Sequence, residues 1–292
     1  MEAHEPDRRV SSRLAVMLIA AGTVILFGQL GSYRSLGSHE VFVSVPAREM
    51  LETGDWIIPR YGQVPRLEKP PLAYWVVATS GWLAGEVNEL AARLPSAAAA
   101  ILLALLVGVW ARRWYGVEAG YAAVVIQLTS LWVISYGRRA EVDMLLCLLT
   151  TAALALVATW PDTESTARSI ARWLGVYSLV AIAWMAKFHF GAAMVLVPAV
   201  LYLVCCRRTS RLWHLGNPPG LVLVAAAAIA WPLAVLEQLP EAATTWRSET
   251  VGRSFGARGY QPPWDYLGPL LMLLLPWTIV LLRAVPASWR SA

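Results

Sequence analysis

Charge is scarce in this chain. Only 15% of its 292 residues are charged, against about 25% in an ordinary soluble domain. With 58% hydrophobic residues and a mean hydropathy of +0.53, that shortage excludes a freely soluble globular domain and points to the membrane class. Lysine is scarcer still: Lys69 and Lys187 are two of 24 basic residues, and the other 22 are arginine. Three cysteines, Cys147, Cys205 and Cys206, lie in or at the end of apolar stretches, where a free thiol behaves as a small hydrophobe. No pair has metal-site spacing, and a disulfide framework is not expected. Internal repeats and low-complexity tracts are also missing. That argues against a transporter or flippase, which would carry inverted repeats or matched broken helices.

What the chain does have is long apolar runs. A helix needs about 20 residues to cross a bilayer core. Eight runs are candidates: 14–30, 92–111, 119–136, 142–160, 173–186, 191–206, 221–236 and 266–282, the fifth and sixth being short. The first exceeds the roughly 7–15 residue core of a secretory signal, and no small-x-small cleavage site follows it. It reads as a signal anchor, with Arg8, Arg9 and Arg13 holding the N-terminus in the cytoplasm. Alternation then puts Arg112, Arg113, Arg168, Arg172, Arg207, Arg208, Arg211, Arg283 and Arg290 on the same side. Those 12 are matched by the 12 remaining basic residues on the outer side. The positive-inside bias discounts long loops, and half of the outer set lies at or within the first one. A basic outer face calls for an anionic ligand.

Two outer segments stand out. In the first loop, residues 31–91, two stretches repeat their apolar residues at helical spacing: 41–51, and 71–83 with Tyr74, Trp75 and Trp82. Both fit amphipathic helices lying in the interface plane. Between them Gly54, Pro59, Gly62, Pro65, Pro70 and Pro71 mark a fixed irregular segment. The second, residues 237–264, is polar and basic and reads as a mobile loop. The fifteen tryptophans read as interfacial anchors or packing, with only Trp264 and Trp277 singled out.

The most informative stretch is Glu68-Lys69-Pro70-Pro71. It sets a carboxylate beside a rare lysine on backbone stiffened by two prolines, which suggests chemistry on a phosphate or a sugar. The plainer alternative is an exposed ion pair at a helix start. His39-Glu40 is a second candidate, with helix capping by Glu40 as its rival. Asp143 with Arg138 and Arg139 sits at a membrane boundary, where pairing between helices competes with ligand binding. Lys187 and His189 interrupt an apolar stretch, and ionisable groups there are functional candidates unless the lysine snorkels to water. Arg253, Arg258 and Tyr260 sit in the second loop and are candidates to close over a phosphate, a solvated loop being the alternative.

Taken in order, Ala47-Arg48-Glu49-Met50-Leu51, Gly54-Asp55-Trp56, Glu68-Lys69-Pro70-Pro71, Ala92-Arg93-Leu94-Pro95-Ser96, Arg138-Arg139-Ala140-Glu141-Val142-Asp143, Lys187 with Gly191, and Pro276-Trp277 resemble the polytopic GT-C glycosyltransferases. The aminoarabinose transferases of lipid A and the related protein mannosyltransferases are the most similar groups. The resemblance implies an all-α integral membrane protein, a GT-C-type bundle of about eight transmembrane helices with interfacial helices in the first extracytoplasmic loop. It implies one such domain over residues 1–292, a shortened form without the further spans and terminal domain of longer relatives.

The implied reaction moves a sugar from a polyprenyl-phosphate donor to a lipid, protein or glycan acceptor on the extracytoplasmic face, with inversion. A base takes the acceptor's proton, and cations stabilise the departing phosphate. Glu40 is the expected base with His39 as its alternative, and Glu68 joins them as a catalytic candidate. Lys69, Arg138, Arg139, Asp143, Lys187, His189, Arg253, Arg258 and Tyr260 are the expected substrate-binding set. The family's catalytic aspartate falls on His39, an arginine three residues later on Phe42, and a metal-binding histidine on Tyr260. A divalent metal at Glu68 therefore stays open, and no other cofactor is expected. Membrane lipids are expected partners and nucleic acid is not; the setting is the cell (inner) membrane. The rival reading is a non-catalytic protein that binds polyprenyl phosphate or anionic lipid.

Overall fold

The structure, a computed structural model, describes residues 8–160, 166–216, 218–254 and 262–289. Helix α1 (Arg8–Phe27) leads through a turn into α2 (Ser38–Thr53). A two-stranded hairpin follows, β1 (Arg60–Tyr61) against β2 (Val64–Pro65), antiparallel with Arg60 opposite Pro65. Then come α3 (Leu72–Ala84), α4 (Glu89–Tyr115), α5 (Val117–Thr129), α6 (Leu131–Gly137), α7 (Asp143–Ala158), α8 (Thr166–Cys205), α9 (Pro218–Gln238), α10 (Ala242–Ser254), α11 (Leu267–Leu273) and α12 (Trp277–Trp289). The two helices expected in the first loop are α2 and α3. The second loop, read as mobile, contains α10, seated on α9 by packing of Trp246 against Trp231. Its polar sequence hides a helix that one aromatic contact anchors.

Local chemistry sets the helix ends. Asn88 caps α4 by accepting the Ala91 N–H at 2.9 Å, with Glu89 in the first turn and Arg112 and Arg113 in the last, each matching the helix dipole. Gly54 ends α2 at φ 73°, a left-handed conformation that costs glycine nothing. Small residues let α4 and α5 approach closely: a Cβ on Gly120 would lie 3.0 Å from the Gly108 carbonyl.

Among the described residues, three helices are long and apolar enough to cross a membrane: Glu89–Tyr115, Ala167–Cys205 and Pro218–Gln238. Two bent pairs bring the number to five if each is one span: Val117–Thr129 with Leu131–Gly137 at 58°, and Trp264–Leu273 with Trp277–Arg283 at 110°. This is a multi-pass membrane protein, but eight separate spanning helices are not what length and composition give. The apolar runs are real, yet the backbone interrupts them. Ser130, extended at ψ 137°, breaks the third run, and the Leu274–Pro276 turn breaks the eighth. The two breaks meet, the Leu131 N–H donating to the Leu275 carbonyl at 2.9 Å and Trp277 Nε1 to Thr129 Oγ1 at 2.9 Å. The first and fourth runs form the shorter helices Arg13–Phe27 and Asp143–Ala158.

The fifth and sixth runs are the two arms of α8, broken at Lys187 (φ −147°) and Phe188 (φ 49°). Gly191 packs directly against the Ala183 carbonyl. Eight residues of straight helix would separate them by about 12 Å, so the chain turns back sharply at the break. The main core joins α2, α3, α7 and α8 through Met50, Tyr74, Val77, Leu146 and Trp173. A second core joins α1, α4, α6 and α7 through Leu26, Ala100, Val133 and Met144.

Candidate functional site

Two cavities flank the first loop, and the candidate residues divide between them. The larger, about 580 Å³, is lined by Glu68, Lys69, Lys187 and His189 on an otherwise apolar wall that includes Trp184, Phe188, Met194 and Trp246. The second, about 420 Å³, is polar and includes Tyr33, His39, Glu40, Arg138, Arg139 and Glu141. The two share no lining residue.

The loop that carries Glu68 and Lys69 is held from every side. Asp55 accepts the N–H groups of Ile57 at 3.0 Å and Ile58 at 3.1 Å and pairs with Arg60 at 3.3 Å. The bonds from those N–H groups and from Arg60 outweigh burial and hold its carboxyl below the ordinary value. Glu49 accepts from the N–H groups of Gly62 and Gln63 at the hairpin tip, at 2.7 and 3.2 Å. Three indoles then pin carbonyls at either end of the segment: Trp75 donates to Trp56 at 2.8 Å, Trp231 to Ile57 at 2.8 Å and Trp246 to Leu67 at 3.0 Å. Trp231 and Trp246 come from α9 and α10, about 175 residues downstream.

Lys69, half-buried, has no hydrogen-bond or ion-pair partner among the described residues. Burial pushes its ammonium below the ordinary lysine value, and the charge of Lys187 pushes it further, with Asp143 opposing. Lys187, at the break in α8, donates to Asp143 at 2.6 Å. Asp143 opens α7, so the motif's aspartate and the family-like lysine meet at this cavity. Glu68 pairs with Arg66 at 3.5 Å, while Arg66 stacks over Phe42 at 4.3 Å. His189 is exposed beside Phe190.

Glu40 is buried, and its two oxygens are shared among five donors. Arg93 Nε meets Oε1 at 2.8 Å and its Nη2 meets Oε2 at 3.3 Å. Arg34 adds an ion pair at 2.8 Å, and the N–H groups of Gly37 and Ala140 donate at 2.8 and 3.2 Å. Burial alone would raise the carboxyl, but these bonds bring it below the ordinary carboxylate value. Arg138 donates to the carbonyls of Ile25, Leu26 and Gly28, capping the C-terminal end of α1. Arg139 lies over the Tyr136 ring at 5.2 Å, and among the described residues no carboxylate meets its guanidinium.

The structure thus gathers Glu68, Lys69, Lys187, His189 and, through Lys187, Asp143 at one cavity, and His39, Glu40, Arg138 and Arg139 at the other. Arg253 falls in α10, while Arg258 and Tyr260 lie outside the described residues. A divalent metal at Glu68 does not fit: among the described residues no three His, Cys, Asp or Glu side chains converge, and Glu68 already faces a guanidinium. Trp277 bonds to Thr129 and Trp264 is 71% exposed, so the tryptophans at the cavity are instead Trp184 and Trp246. The sequence reading also passed over Arg93 as a partner for Glu40, and Glu141. Both stand inside recognised motifs, the one signal that could have drawn attention to them.

The sequence model of the dolichyl-phosphate-mannose-protein mannosyltransferase family matches residues 68–235, beginning at Glu68. An undecaprenyl phosphate-alpha-4-amino-4-deoxy-L-arabinose arabinosyl transferase from Edwardsiella ictaluri is 33% identical over 84% of this chain and 45% of its own length. The protein of the same description from Erwinia tasmaniensis is 30% identical over 86% of the chain and 46% of its own. The crystal structure of ArnT from Cupriavidus metallidurans bound to undecaprenyl phosphate superposes with a TM-score of 0.79 at 23% identity, covering 94% of this chain and 51% of that one. Its apo form gives 0.75 at 22% identity, over 93% and 50%. The fold is therefore that of ArnT, and the chain spans about half the length of the relatives it matches.

Proposed function

The chain belongs to the dolichyl-phosphate-mannose-protein mannosyltransferase family, and from that membership we propose that it transfers a sugar from a polyprenyl-phosphate carrier to an acceptor O–H. The observation that carries this reading is Lys69: a half-buried ammonium with no ion-pair partner among the described residues, facing an apolar-walled cavity beside a second lysine. A lipid phosphate supplies the missing anion, and the apolar wall of Trp184, Phe188, Met194 and Trp246 suits the first isoprene units of the same molecule. Relatives described as undecaprenyl-phosphate aminoarabinose transferases support this donor class, with a pentose as the sugar.

In this mechanism the carrier phosphate lies against Lys69, with Lys187 held by Asp143 as a second, partly neutralised cation. Both act as point charges on phosphate, in surroundings dry enough to strengthen them. As the acceptor oxygen bonds to the anomeric carbon from the far face, the sugar–phosphate bond breaks and the leaving phosphate gains charge. Lys69 stabilises that charge as it develops. Glu68, at the same cavity, pairs with Arg66, which lies over the Phe42 ring. Glu40 we assign to holding Arg93, because its lone pairs are already occupied. We place the cavities on the extracytoplasmic side of the cell (inner) membrane with the N-terminus in the cytoplasm, and count the arms of α8 as separate crossings, for eight in all. The acceptor is a lipid, protein or glycan.

The test is transfer and binding by the full chain in lipid nanodiscs, with radiolabelled undecaprenyl-phosphate aminoarabinose and a panel of acceptors. Label should leave the carrier, and Lys69→Ala should weaken undecaprenyl-phosphate binding by tenfold or more. Saturable binding without turnover would instead favour a carrier-binding protein. Binding indifferent to Lys69 and Lys187 would overturn the donor site.

A further inference from the structure

The transfer proposed above needs a base for the acceptor O–H, and the carboxylates around the two cavities differ in what already holds them. Glu40 is occupied by Arg93, Arg34 and two backbone N–H groups. Asp143 holds Lys187 at 2.6 Å, and Glu68 faces Arg66 at 3.5 Å. A carboxylate already bonded to a fixed cation has that pairing to break before it can take a substrate proton.

Glu141 is different. Among the described residues no cation or hydrogen-bond donor meets its carboxylate, although its backbone is fixed on both sides. Its N–H donates to the Arg139 carbonyl at 2.8 Å, and its own carbonyl accepts from Ser96 Oγ at 2.8 Å. The preceding residue is fixed too, its N–H donating to Glu40 at 3.2 Å. The side chain is half-buried, lines the second cavity beside His39 and Arg139, and also borders a small void between α2, α3 and α4. Glu141 lies two residues before Asp143, whose partner Lys187 lines the first cavity. It therefore stands between the second cavity and that ion pair, oriented by its backbone and uncommitted by its side chain.

We propose that Glu141 is the catalytic base of the transfer and that the second cavity is where the acceptor enters. The inference rests on the donor site assigned to Lys69. The acceptor's O–H proton passes to the Glu141 carboxylate while its oxygen bonds to the anomeric carbon. The bond from that carbon to the carrier phosphate breaks, and the phosphate departs with the electron pair toward Lys69. An acceptor arriving from the second cavity while the phosphate leaves toward Lys69 attacks from the face opposite the leaving group, as displacement with inversion requires. Arg139, on the acceptor's side with no carboxylate partner among the described residues, gives that cavity a preference for an acceptor bearing negative charge.

The experiment compares Glu141→Gln and Glu141→Asp with the unmodified full chain in nanodiscs. It measures kcat, KM and the Kd for undecaprenyl phosphate alone. General-base assistance contributes about 10²–10⁴-fold, so Glu141→Gln should lower kcat by 100-fold or more. Its Kd for the carrier should stay within threefold, which also shows that the variant is folded, and Glu141→Asp should recover part of the rate. A Glu141→Gln enzyme within threefold of the unmodified kcat would overturn the proposal, as would parallel loss of carrier binding and thermal stability. If the unmodified chain binds the carrier without turning it over, the base assignment fails while the Lys69 site survives. If it does neither, the donor reading itself has failed.

Discussion

Arg93 and Glu40, 53 residues apart in sequence, meet at 2.8 Å with neither side chain reaching solvent. Arg93 also donates to the carbonyls of Leu30, Arg34 and Ser35, and lies 4.7 Å over the Tyr33 ring. One guanidinium thus joins α4, the turn after α1 and the start of α2, while the Ala140 N–H brings in the loop before α7 through the same carboxylate. This is the junction on which the second cavity is built.

Removing one partner of a buried pair costs about 3–5 kcal/mol, because the other charge is stranded. Arg93→Ala and Glu40→Gln should therefore both lower the thermal unfolding midpoint sharply. A paired Glu40→Leu, Arg93→Met variant should be more stable than either single change. Unfolding in detergent, followed by tryptophan fluorescence, would show it. A Glu40→Gln chain that keeps its full stability but loses turnover would contradict the structural role and return Glu40 to the chemistry.

Carrier binding should depend on pH through Lys69. Its folded pKa lies below the ordinary lysine value, first through burial and then through Lys187. The ammonium is fully present below that depressed value and is lost as pH rises through it, so affinity is flat at low pH and falls earlier than an ordinary lysine would dictate. Bound phosphate favours the charged form, so binding takes up protons in that window. Lys69→Arg should remove the fall. Folding shows the opposite sign: the unfolded chain binds the extra proton, so stability rises between the depressed value and the unfolded one, and Lys69→Met should flatten that rise. Titrations of binding and of unfolding across pH 7 to 10 would check both.

Much of this was legible in the sequence because it is local. Apolar spacing located α2 to within three residues at each end and α3 to within one, and the rarity of lysine drew attention to Lys69 and Lys187. What the sequence hid is pairing over distance. No local pattern says that Arg93 would take both oxygens of Glu40, or that Arg138 would cap α1. The bends were hidden for a related reason: hydropathy is continuous across Ser130 and Pro276, whereas the backbone is not. Glu141 escaped notice because it sits in the same motif as Asp143, and only the ion pairs around it reveal that, among the described residues, no cation holds its carboxylate.

The indoles of α9 and α10 should matter more for binding than for stability. Trp246→Phe removes the bond to the Leu67 carbonyl, one residue before Glu68, but keeps most of the ring packing on Trp231 and Phe188. A single hydrogen bond of this kind contributes about 1 kcal/mol. The expected result is a small drop in unfolding temperature with a several-fold weaker affinity for undecaprenyl phosphate, because the segment carrying Lys69 is loosened. Trp231→Phe should behave alike through Ile57.

The break in α8 makes a strict geometric demand on the chain. Phe188 holds a positive φ of 49° that a bulky residue rarely adopts, and its ring is fixed among Trp184, Trp231 and Trp246 at 5.2, 6.1 and 6.5 Å. Such conformations cost about 1–3 kcal/mol and persist only where the surroundings impose them. Here the return of the chain brings Lys187 to Asp143, and Gly191 permits that return by packing on the Ala183 carbonyl. Gly191→Ala should force the arms of α8 apart and separate Lys187 from Asp143. Its loss of carrier binding should then resemble that of Lys187→Ala, with a larger loss of stability. Phe188→Gly should relieve the strained dihedral but empty the aromatic cluster. It would separate the two contributions: binding retained would mean that the backbone turn suffices, and binding lost would mean that the ring holds Lys187 in place.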